Sequence, residues 1–272
     1  MPCVALIATA LLTQTASFIP SVQAWTFNQF TTEEAISKAA QAGSGAIELF
    51  PGQALSDDVP NVKVGPDMGA EATEKLKGYL AKSNVKVVAF GVTGISKDPA
   101  DARKLFTWAK GLGILVIQTE STDALDTIET MVKEFDMKVG IHNHPRRQND
   151  PNYKVWDPHY VYDLVKNRDK RIGSCADTGH WVRSGIKPVD AIRILKGRIV
   201  SSHLKDLHEF APSGHDVPFG TGVSDIRGIL EEYTKMKFQG PVSVEYEHNW
   251  DTSLAEVAQC IGFMRAFQTK GR

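Results

Sequence analysis

The stretch Arg171-Ile-Gly-Ser-Cys-Ala-Asp-Thr-Gly-His-Trp181 joins an apolar strand to a polar turn in which Asp177 and His180 lie three residues apart. Three other apolar strands also end in a side chain that can bind a metal ion. These strand ends are His142 after Val139-Gly-Ile, His203 after Ile199-Val-Ser-Ser, and Glu245 after Val242-Ser-Val. Four such strand ends in one chain predict a shared site where the strands converge.

The sequence divides into eight units, each an apolar strand followed by an amphipathic helix. The predicted strands are Val22–Phe27, Ala46–Leu49, Val85–Phe90, Ile114–Gln118, Lys138–Ile141, Ile172–Ala176, Ile199–Ser202 and Val242–Val244. Thr31-Thr-Glu-Glu34 is a capping box, and Asp98-Pro99 and Asp157-Pro158 also mark helix starts. Eight uninterrupted units predict an α/β fold, a single closed (β/α)8 TIM barrel. An open doubly wound sheet is the weaker alternative, because a barrel gathers the ends of strands five to eight around one axis.

The composition excludes some functions. A chain of 272 residues, 42% hydrophobic and 23% charged, suits one globular domain with a large core. Its 31 Lys and Arg and 32 Asp and Glu give a net charge of -1, so no basic field attracts nucleic acid. Cys3, Cys175 and Cys260 do not form a disulfide framework. We expect a small-molecule ligand and no nucleic-acid partner, with homo-oligomer formation left open.

The uncharged run Val4–Leu12 is too short to span a bilayer and suits the apolar region of a signal peptide, although no Lys or Arg precedes it. It predicts export to the periplasm without stable membrane insertion. Cleavage after Val22-Gln-Ala24 would remove the first predicted strand, which a closed barrel needs. We therefore expect residues 1–17 to be a signal peptide cleaved near Thr15–Ser17, and residues 18–272 to be the barrel domain. A non-functional leader would leave the protein in the cytoplasm.

His142, Asp177, His203 and Glu245 offer two imidazoles and two carboxylates as metal ligands. This mixed set favours Mn²⁺, with Co²⁺, Zn²⁺, Fe²⁺ and Mg²⁺ as alternatives, and suits Ca²⁺ less well. Four protein ligands leave open positions on a five- or six-coordinate ion, so we expect a catalytic ion. Each residue alone could be an ordinary polar strand end. Glu120, after the fourth strand, is a further candidate ligand or base.

Several motifs in combination resemble one known family. They are Ile141-His-Asn-His-Pro145, Asp177-Thr-Gly-His180, His203-Leu-Lys-Asp206, Pro218-Phe-Gly-Thr-Gly222 and Glu245. From about Val22 to the C-terminus the chain resembles the sugar phosphate isomerase/epimerase family, also called xylose isomerase-like TIM barrels. The resemblance implies a divalent metal held by Glu, Asp, His and Glu from the last four strands. It also implies reactions that move a proton beside a carbonyl.

The chain departs from this family pattern at the first ligand, where His142 stands in place of Glu. In epimerases of the family that Glu is also an acid/base partner for the substrate C–H, so the change argues against epimerisation by two carboxylates. His144 or His180 could act as the general base instead, because imidazole titrates near neutral pH. The candidate catalytic residues are therefore His144, His180, Lys205 and Glu245, with Lys205 expected to polarise a substrate oxygen.

The candidate sugar-binding residues are Glu48, Trp25, Trp181 and Asp206. Glu48 would form a hydrogen bond with a sugar hydroxyl group or with a neighbouring strand. The rings of Trp25, Trp181 and Phe50 would either stack on a pyranose ring or pack in the core. Asp206 joins Lys205 beside the metal site in the family that the chain resembles. Gly220-Thr-Gly222 resembles a phosphate cradle at a helix start, but export disfavours phosphosugars and favours a neutral-sugar pocket.

The leading hypothesis is a divalent-metal-dependent sugar isomerase or epimerase that abstracts a proton beside a carbonyl through an enediolate-type intermediate. A metal-dependent lyase or hydratase on a 3-keto-glycoside shares this first step and is the alternative. An abasic-site endonuclease is disfavoured, because its trinuclear zinc site needs histidines from the second and third strands, which here end in Glu48 and Phe90-Gly91. A non-catalytic sugar-binding barrel is disfavoured by the intact set of four ligands.

Overall fold

Eight parallel strands close into a barrel in the computed structural model, which describes residues 16–269. The strands of the chain are β1 Ile19–Gln23, β2 Ala46–Leu49, β3 Lys86–Phe90, β4 Val116–Thr119, β5 Lys138–His142, β6 Ile172–Asp177, β7 Ile199–Leu204, β8 Asp206–Leu207, β9 Asp216–Val217 and β10 Pro241–Val244. Strands β1 to β7 and β10 form the barrel. The ring closes where β1 pairs with both β10 and β2, with Val22 opposite Val244 and Gln23 opposite Glu48. The predicted TIM barrel is confirmed.

Helices follow the barrel strands and bury their apolar faces in the core. They are α1 Thr32–Gln41, α2 Gly69–Lys82, α3 Pro99–Gly111, α4 Leu125–Phe135, α5 Pro158–Val165, α6 Thr178–Arg183, α7 Pro188–Ile194, α8 Ile226–Lys235 and α9 Leu254–Thr269. The predicted capping box is present, since Glu34 N–H donates to the Thr31 side chain and Thr31 N–H donates to the Glu34 carboxylate. Asp98 and Asp157 cap α3 and α5 ahead of their first-turn prolines, as predicted.

The predicted first strand, Val22–Phe27, is wrong in its bounds. Strand β1 ends at Gln23, and residues Ala24–Phe27 form a 3₁₀ helix. The Gln23 side chain accepts a hydrogen bond from Trp25 N–H at 3.0 Å, which turns the chain out of the sheet. Trp25 therefore lies on the loop that follows β1. Residues 1–15 of the predicted signal peptide lie outside the described part of the chain.

Two short elements were not predicted. Helix α6 starts directly after β6 because the Asp177 carboxylate accepts a hydrogen bond from His180 N–H at 2.7 Å and caps the helix. The same hydrogen bond fixes the position of the His180 backbone relative to the Asp177 carboxylate. Strands β8 and β9 form an antiparallel hairpin after β7, and two-residue strands are too short for any periodicity to reveal.

Two thiols, Cys175 and Cys260, are buried and free, and Cys3 lies outside the described residues. Among residues 16–269, no helix combines the length and the apolar character needed to cross a bilayer.

Candidate active site

The side chains of His142, Asp177, His203 and Glu245 meet at the C-terminal end of the barrel. One potential ligand atom from each lies within 4.8 Å of the others, and all four residues are buried. His142 Nε2 lies 3.2 Å from His203 Nδ1 and 3.6 Å from Asp177 Oδ2. His203 Nδ1 lies 3.0 Å from Glu245 Oε2. The barrel thus brings the four predicted ligands into one cluster of nitrogen and oxygen atoms.

The chemistry of this cluster fits a divalent metal ion. His203 Nε2 lies 2.8 Å from a Glu48 oxygen, and a hydrogen bond of this kind orients metal-binding histidines and leaves the other ring nitrogen free as a ligand. That other nitrogen, His203 Nδ1, faces His142 Nε2. At most one hydrogen bond can join two ring nitrogens, whereas both lone pairs can bind one ion. Mixed nitrogen and oxygen ligands suit Mn²⁺, Co²⁺, Zn²⁺ or Fe²⁺.

Acidic neighbours raise the pKa of each histidine of the cluster when no ion is present. Burial lowers the pKa of His142, but Asp177 and Glu120 outweigh burial and raise it to about 9. Burial also lowers the pKa of His203, and the neighbouring Cys175, Glu245 and Glu48 raise it well above the usual value. Binding of a divalent ion to this cluster must therefore release protons.

Glu48 is completely buried and does not line the cavity, and of its two predicted partners, a sugar hydroxyl or a neighbouring strand, the structure shows a neighbouring strand, β1. Its Oε1 lies 2.8 Å from His203 Nε2 and accepts a hydrogen bond from Gln23 Nε2 at 2.8 Å. Its Oε2 accepts a hydrogen bond from Ser243 Oγ at 2.8 Å. The carboxylate of Glu48 therefore fixes the His203 ring from across the barrel.

Lys205 is fully enclosed and bridges two of the predicted metal ligands. Its Nζ lies 2.6 Å from Asp177 Oδ2, contacts Glu245 Oε2, and lies 3.5 Å from Glu247 Oε2. Burial lowers the pKa of Lys205, but these carboxylates outweigh burial and raise it far above the usual value. Lys205 does not line the cavity, and its predicted polarisation of a substrate oxygen stays a prediction. The ammonium group holds the two carboxylates in place.

Glu120, His144 and Tyr153 form a hydrogen-bonded group at the edge of the cluster. Glu120 Oε1 lies 2.5 Å from His144 Nδ1 and accepts a hydrogen bond from Tyr153 Oη at 2.6 Å. Burial raises the pKa of Glu120, but His142, His144 and Tyr153 outweigh burial and hold it well below the usual value. An ionised Glu120 favours a proton on His144 Nδ1, which leaves the Nε2 lone pair free.

His180 has a different set of partners. Arg183 Nη1 lies 3.2 Å from His180 Nδ1, and because a guanidinium can only donate, His180 Nδ1 accepts that hydrogen bond. Burial, with smaller contributions from Lys205 and His142, holds the pKa of His180 well below its usual value. A neutral His180 whose Nδ1 accepts must carry its proton on Nε2. His180 can therefore donate a hydrogen bond to a ligand.

Arg183 also ties together the loops around the cluster. It donates to Glu247 Oε2 at 2.7 Å and to Asp216 Oδ2 at 3.2 Å on the β8–β9 hairpin. Burial raises the pKa of Asp216 to about 7, against the lowering effects of Lys205 and Arg183. Glu247 follows β10 and keeps part of its side chain exposed.

A cavity of about 350 Å³ opens above the metal-ligand cluster, at the carboxyl ends of the strands. Its lining residues are Gln23, Trp25, Phe50, Pro51, Gly91, Val92, His142, His144, His180, Glu245 and Glu247. This volume lies near the lower end of the range for small-molecule sites, roughly 300 to 1,000 Å³. A larger cavity of about 890 Å³ lies at the opposite end of the barrel, near Pro20 and Leu115, and is not lined by any of the candidate site residues.

Two predicted sugar-binding residues do not reach this cavity. The ring of Trp181 is buried in the hydrophobic core and is 1% exposed, so the predicted stacking of Trp181 on a sugar is wrong. Asp206 is also buried, and its carboxylate accepts hydrogen bonds from the N–H groups of Gly220, Gly222 and Ser224. The resemblance of Gly220-Thr-Gly222 to a phosphate cradle is therefore misleading, because Asp206 already occupies the anion position.

Five residues that line the cavity were not predicted as site residues: Gln23, Pro51, Gly91, Val92 and Glu247. Glu247 stands two residues after Glu245, and side chains two apart in extended chain share a face, so the spacing carried a usable signal. Gln23 was missed because the predicted first strand continued to Phe27, so Gln23 was not recognised as a strand end. Nothing in the sequence marks Val92.

Comparisons with known proteins agree with this architecture. Residues 117–267 match the family model described as xylose isomerase-like TIM barrel. An uncharacterized protein from Parabacteroides distasonis ATCC 8503 is 29% identical, with a TM-score of 0.73 over 92% of this chain and 99% of that chain. A search of curated proteins gives no match.

Two further solved structures share the fold at low sequence identity. IOLI protein, solved with a zinc atom bound, is 15% identical with a TM-score of 0.70, over 94% of this chain and 99% of that chain. D-allulose 3-epimerase from Methylomonas sp. is 15% identical with a TM-score of 0.69, over 93% and 98% of the two chains.

Proposed function

Because this chain belongs to the xylose isomerase-like TIM barrel family, we propose that it is a divalent-metal-dependent enzyme that isomerises or epimerises a sugar or keto-sugar. The observation that carries the proposal is the position of His144. Its ring lines the same cavity as His142 and Glu245, two members of the metal-ligand cluster, while Glu120 holds its Nδ1. A base next to a metal site is the arrangement that proton abstraction beside a carbonyl requires.

We propose His142, Asp177, His203 and Glu245 as the ligands and Mn²⁺ as the ion. Zn²⁺ is the main alternative, since the IOLI protein of the same fold holds zinc. When bound, the ion would stabilise the negative charge that develops on the carbonyl oxygen of the substrate. Lys205 keeps Asp177 and Glu245 in position, and Glu48 keeps the His203 ring in position.

His144, Glu120 and His180 each have a proposed role in moving or holding protons. His144 Nε2 takes the proton from the carbon beside the carbonyl, and Glu120 stabilises the imidazolium that results. The electron pair of the C–H bond then forms the carbon–carbon double bond of an enediolate. His180 Nε2–H donates a hydrogen bond to a substrate oxygen, since its Nδ1 is held by Arg183.

A lyase or hydratase acting on a 3-keto-glycoside is the second candidate function. The observation that favours it is His142, which replaces the Glu that acts as a second acid/base partner in epimerases of the family. After the same first proton transfer to His144, the glycosidic C–O bond breaks as the double bond forms. The leaving oxygen then takes the proton that His144 Nε2 accepted, which returns His144 to its neutral form and balances the charges.

Deuterium exchange in D₂O tests the proposal directly. The Mn²⁺-loaded protein is incubated with D-fructose, D-allulose and methyl 3-keto-glucopyranoside, and each sugar is followed by NMR. Deuterium should enter the carbon beside the carbonyl of at least one of these sugars, and His144→Gln should reduce that rate about 100-fold. His159→Gln, on the exposed face of α5, is the matched control.

The products separate the two candidate reactions. Recovery of a rearranged or epimerised sugar carrying deuterium identifies an isomerase or epimerase, and release of methanol from the methyl glycoside identifies a lyase or hydratase. Absence of exchange with all three sugars and also with a two-ring substrate, 3-keto-maltose, in protein that holds a stoichiometric ion, would refute the proposed function.

We also propose that the protein is exported and that residues 1–17 are removed. Phe18 is buried in the core and β1 begins at Ile19, so a cut after Phe18 would damage the barrel. N-terminal sequencing of the protein from its native host should find a first residue between Thr15 and Phe18. An intact Met1 on cytoplasmic protein would contradict export, and a first residue at Trp25 would contradict the need for β1.

A further inference from the structure

A second cavity of about 720 Å³ lies next to the catalytic cavity and shares a wall with it. Trp25 and Phe50 line both cavities. Residues 245–250 also connect the two, because Glu245 and Glu247 line the inner cavity and Trp250 lines the outer one. A ligand that fills the inner cavity can therefore continue past Trp25 and Phe50 into the outer cavity.

The shared wall is made of three aromatic rings held in fixed orientations. The Trp25 ring packs against the rings of Phe50 and Trp250, with centroid separations of 5.1 and 6.3 Å and nearly perpendicular planes. The Trp25 backbone is anchored to Gln23, whose amide also binds Glu48, the partner of His203. Trp25 is nevertheless 41% exposed. A group of exposed aromatic rings beside a cavity is characteristic of a ligand-binding groove.

The rest of the outer cavity is polar and nearly neutral. It is lined by Asn28, Gln29, Phe30, Thr31, Glu34, Gly52, Gln53, Ala54, Asp57 and Lys63. Asp57 and Lys63 both line the outer cavity, so one carboxylate and one ammonium group can contact a ligand there. Amide, carboxylate and ammonium groups around apolar rings suit a sugar, whose ring has C–H faces and whose edge has hydroxyl groups. Phosphate would need a cluster of cations.

We infer that the outer cavity binds a second sugar ring, so that the substrate class of the proposed enzyme is a glycoside of two or more rings. The inference rests on the proposed function for the identity of the inner ring. The inner cavity, near the lower size limit for small-molecule sites, holds the ring that reacts. The outer cavity, twice as large, holds the ring attached to it, and the linkage passes Trp25 and Phe50.

Binding measurements test the subsite independently of turnover. D-glucose, cellobiose and maltose are titrated into the Mn²⁺-loaded full-length protein by isothermal titration calorimetry. At least one disaccharide should bind with a Kd about tenfold lower than that of glucose. Trp250→Ala should remove that advantage and leave the Kd of glucose unchanged, whereas Trp250→Phe should keep most of it. Phe210→Ala is the matched control, since Phe210 is 43% exposed and lines a different cavity.

The outcomes separate this inference from the proposed function. If neither disaccharide binds more tightly than glucose, or if Trp250→Ala weakens glucose and disaccharides equally, the second subsite is refuted. If deuterium exchange occurs on one-ring keto-sugars in the same preparation, the proposed function survives that refutation. A disaccharide advantage that depends on Trp250, in protein that exchanges no sugar proton, would support the subsite and contradict the proposed reaction.

Discussion

Lys205 passes so close to Gly179 that a β-carbon on residue 179 would lie 2.6 Å from Lys205 Cβ and 2.7 Å from Lys205 Cδ. Gly179 therefore provides the space through which the lysine reaches Asp177 and Glu245. The Asp177-Thr-Gly-His180 and His203-Leu-Lys-Asp206 motifs are thus coupled by packing, because the glycine of one admits the lysine of the other.

Gly179→Ala should destabilise the protein by about 1 to 3 kcal/mol, because overpacking forces neighbouring side chains to move and Lys205 has no free space. The free energy of unfolding in urea measures this change. Gly78→Ala is the matched control, since Gly78 also lies in a helix but has open space around it. The control should equal or exceed the wild type by up to about 1 kcal/mol. A Gly179→Ala protein as stable as the control would contradict the steric coupling.

Asp177→Ala and His203→Ala should each lose the bound ion while the barrel stays folded, because a catalytic ion contributes less to folding than a structural one. Metal content by mass spectrometry and secondary structure by circular dichroism check the two halves. Asp177→Ala leaves the buried Lys205 ammonium without its Asp177 partner, and an unpaired buried charge can itself destabilise a fold. Asp177→Asn is therefore a second variant, because its side-chain oxygen can still accept a hydrogen bond from Lys205. His208→Ala, outside the cluster, should keep its metal. Stoichiometric metal in both Ala variants would refute the ligand assignment.

Glu120→Gln should lower kcat for proton exchange by about 100-fold and change KM little, because the neutral amide no longer favours a proton on His144 Nδ1 or stabilises its imidazolium. Tyr153→Phe should have a smaller effect, since Glu120 still contacts His144. Steady-state kinetics on the sugar that exchanges provide the measurement, with Glu134→Gln on the exposed face of α4 as control. If Glu134→Gln lowers kcat as much as Glu120→Gln does, or if Glu120→Gln leaves kcat unchanged, the proposed action of Glu120 through His144 is contradicted.

Asp216→Asn should flatten part of the pH dependence of stability. The pKa of Asp216 is raised from 3.8 to about 7 in the folded protein, mainly by burial. The folded protein favours the protonated form of Asp216. This preference contributes stability that is fully present below about pH 4 and is lost as the pH rises through about 7. Asn stays neutral, so the Tm of the variant relative to wild type should increase between pH 5 and pH 8. A constant difference in Tm across this range would show that Asp216 does not titrate there.

The fold was predictable because its signals are local. Eight alternating strand and helix patterns, with caps at Thr31, Asp98 and Asp157, required no knowledge of contacts distant in sequence. The misplaced first strand shows the limit, since Val22-Gln-Ala-Trp-Thr-Phe27 has a strand-like composition and only the Gln23 side chain turns it into a 3₁₀ helix. The β8–β9 hairpin was missed because its strands have two residues each.

The clustering of His142, Asp177, His203 and Glu245 was predictable because a barrel brings the carboxyl ends of its strands to one axis. The roles of the surrounding side chains depend on packing and were not predictable. Lys205 faces carboxylates because Gly179 lacks a β-carbon, and Asp206 turns toward backbone N–H groups of the 220–224 loop. The pairing of Glu120 with His144 depends on the directions of two loops, which the sequence does not encode in any local pattern.

The contact between Trp25 and Trp250 joins the loops that follow the first and the last barrel strands. A chain emerging from the ribosome makes Trp25 early and Trp250 almost last, so this contact waits for nearly complete synthesis and for the pairing of β1 with β10. The two indole rings have centroids 6.3 Å apart, and we expect their electronic transitions to couple and to give a pair of bands of opposite sign in circular dichroism. During refolding, the appearance of that pair of bands should therefore report when the barrel closes, separately from the formation of the helices.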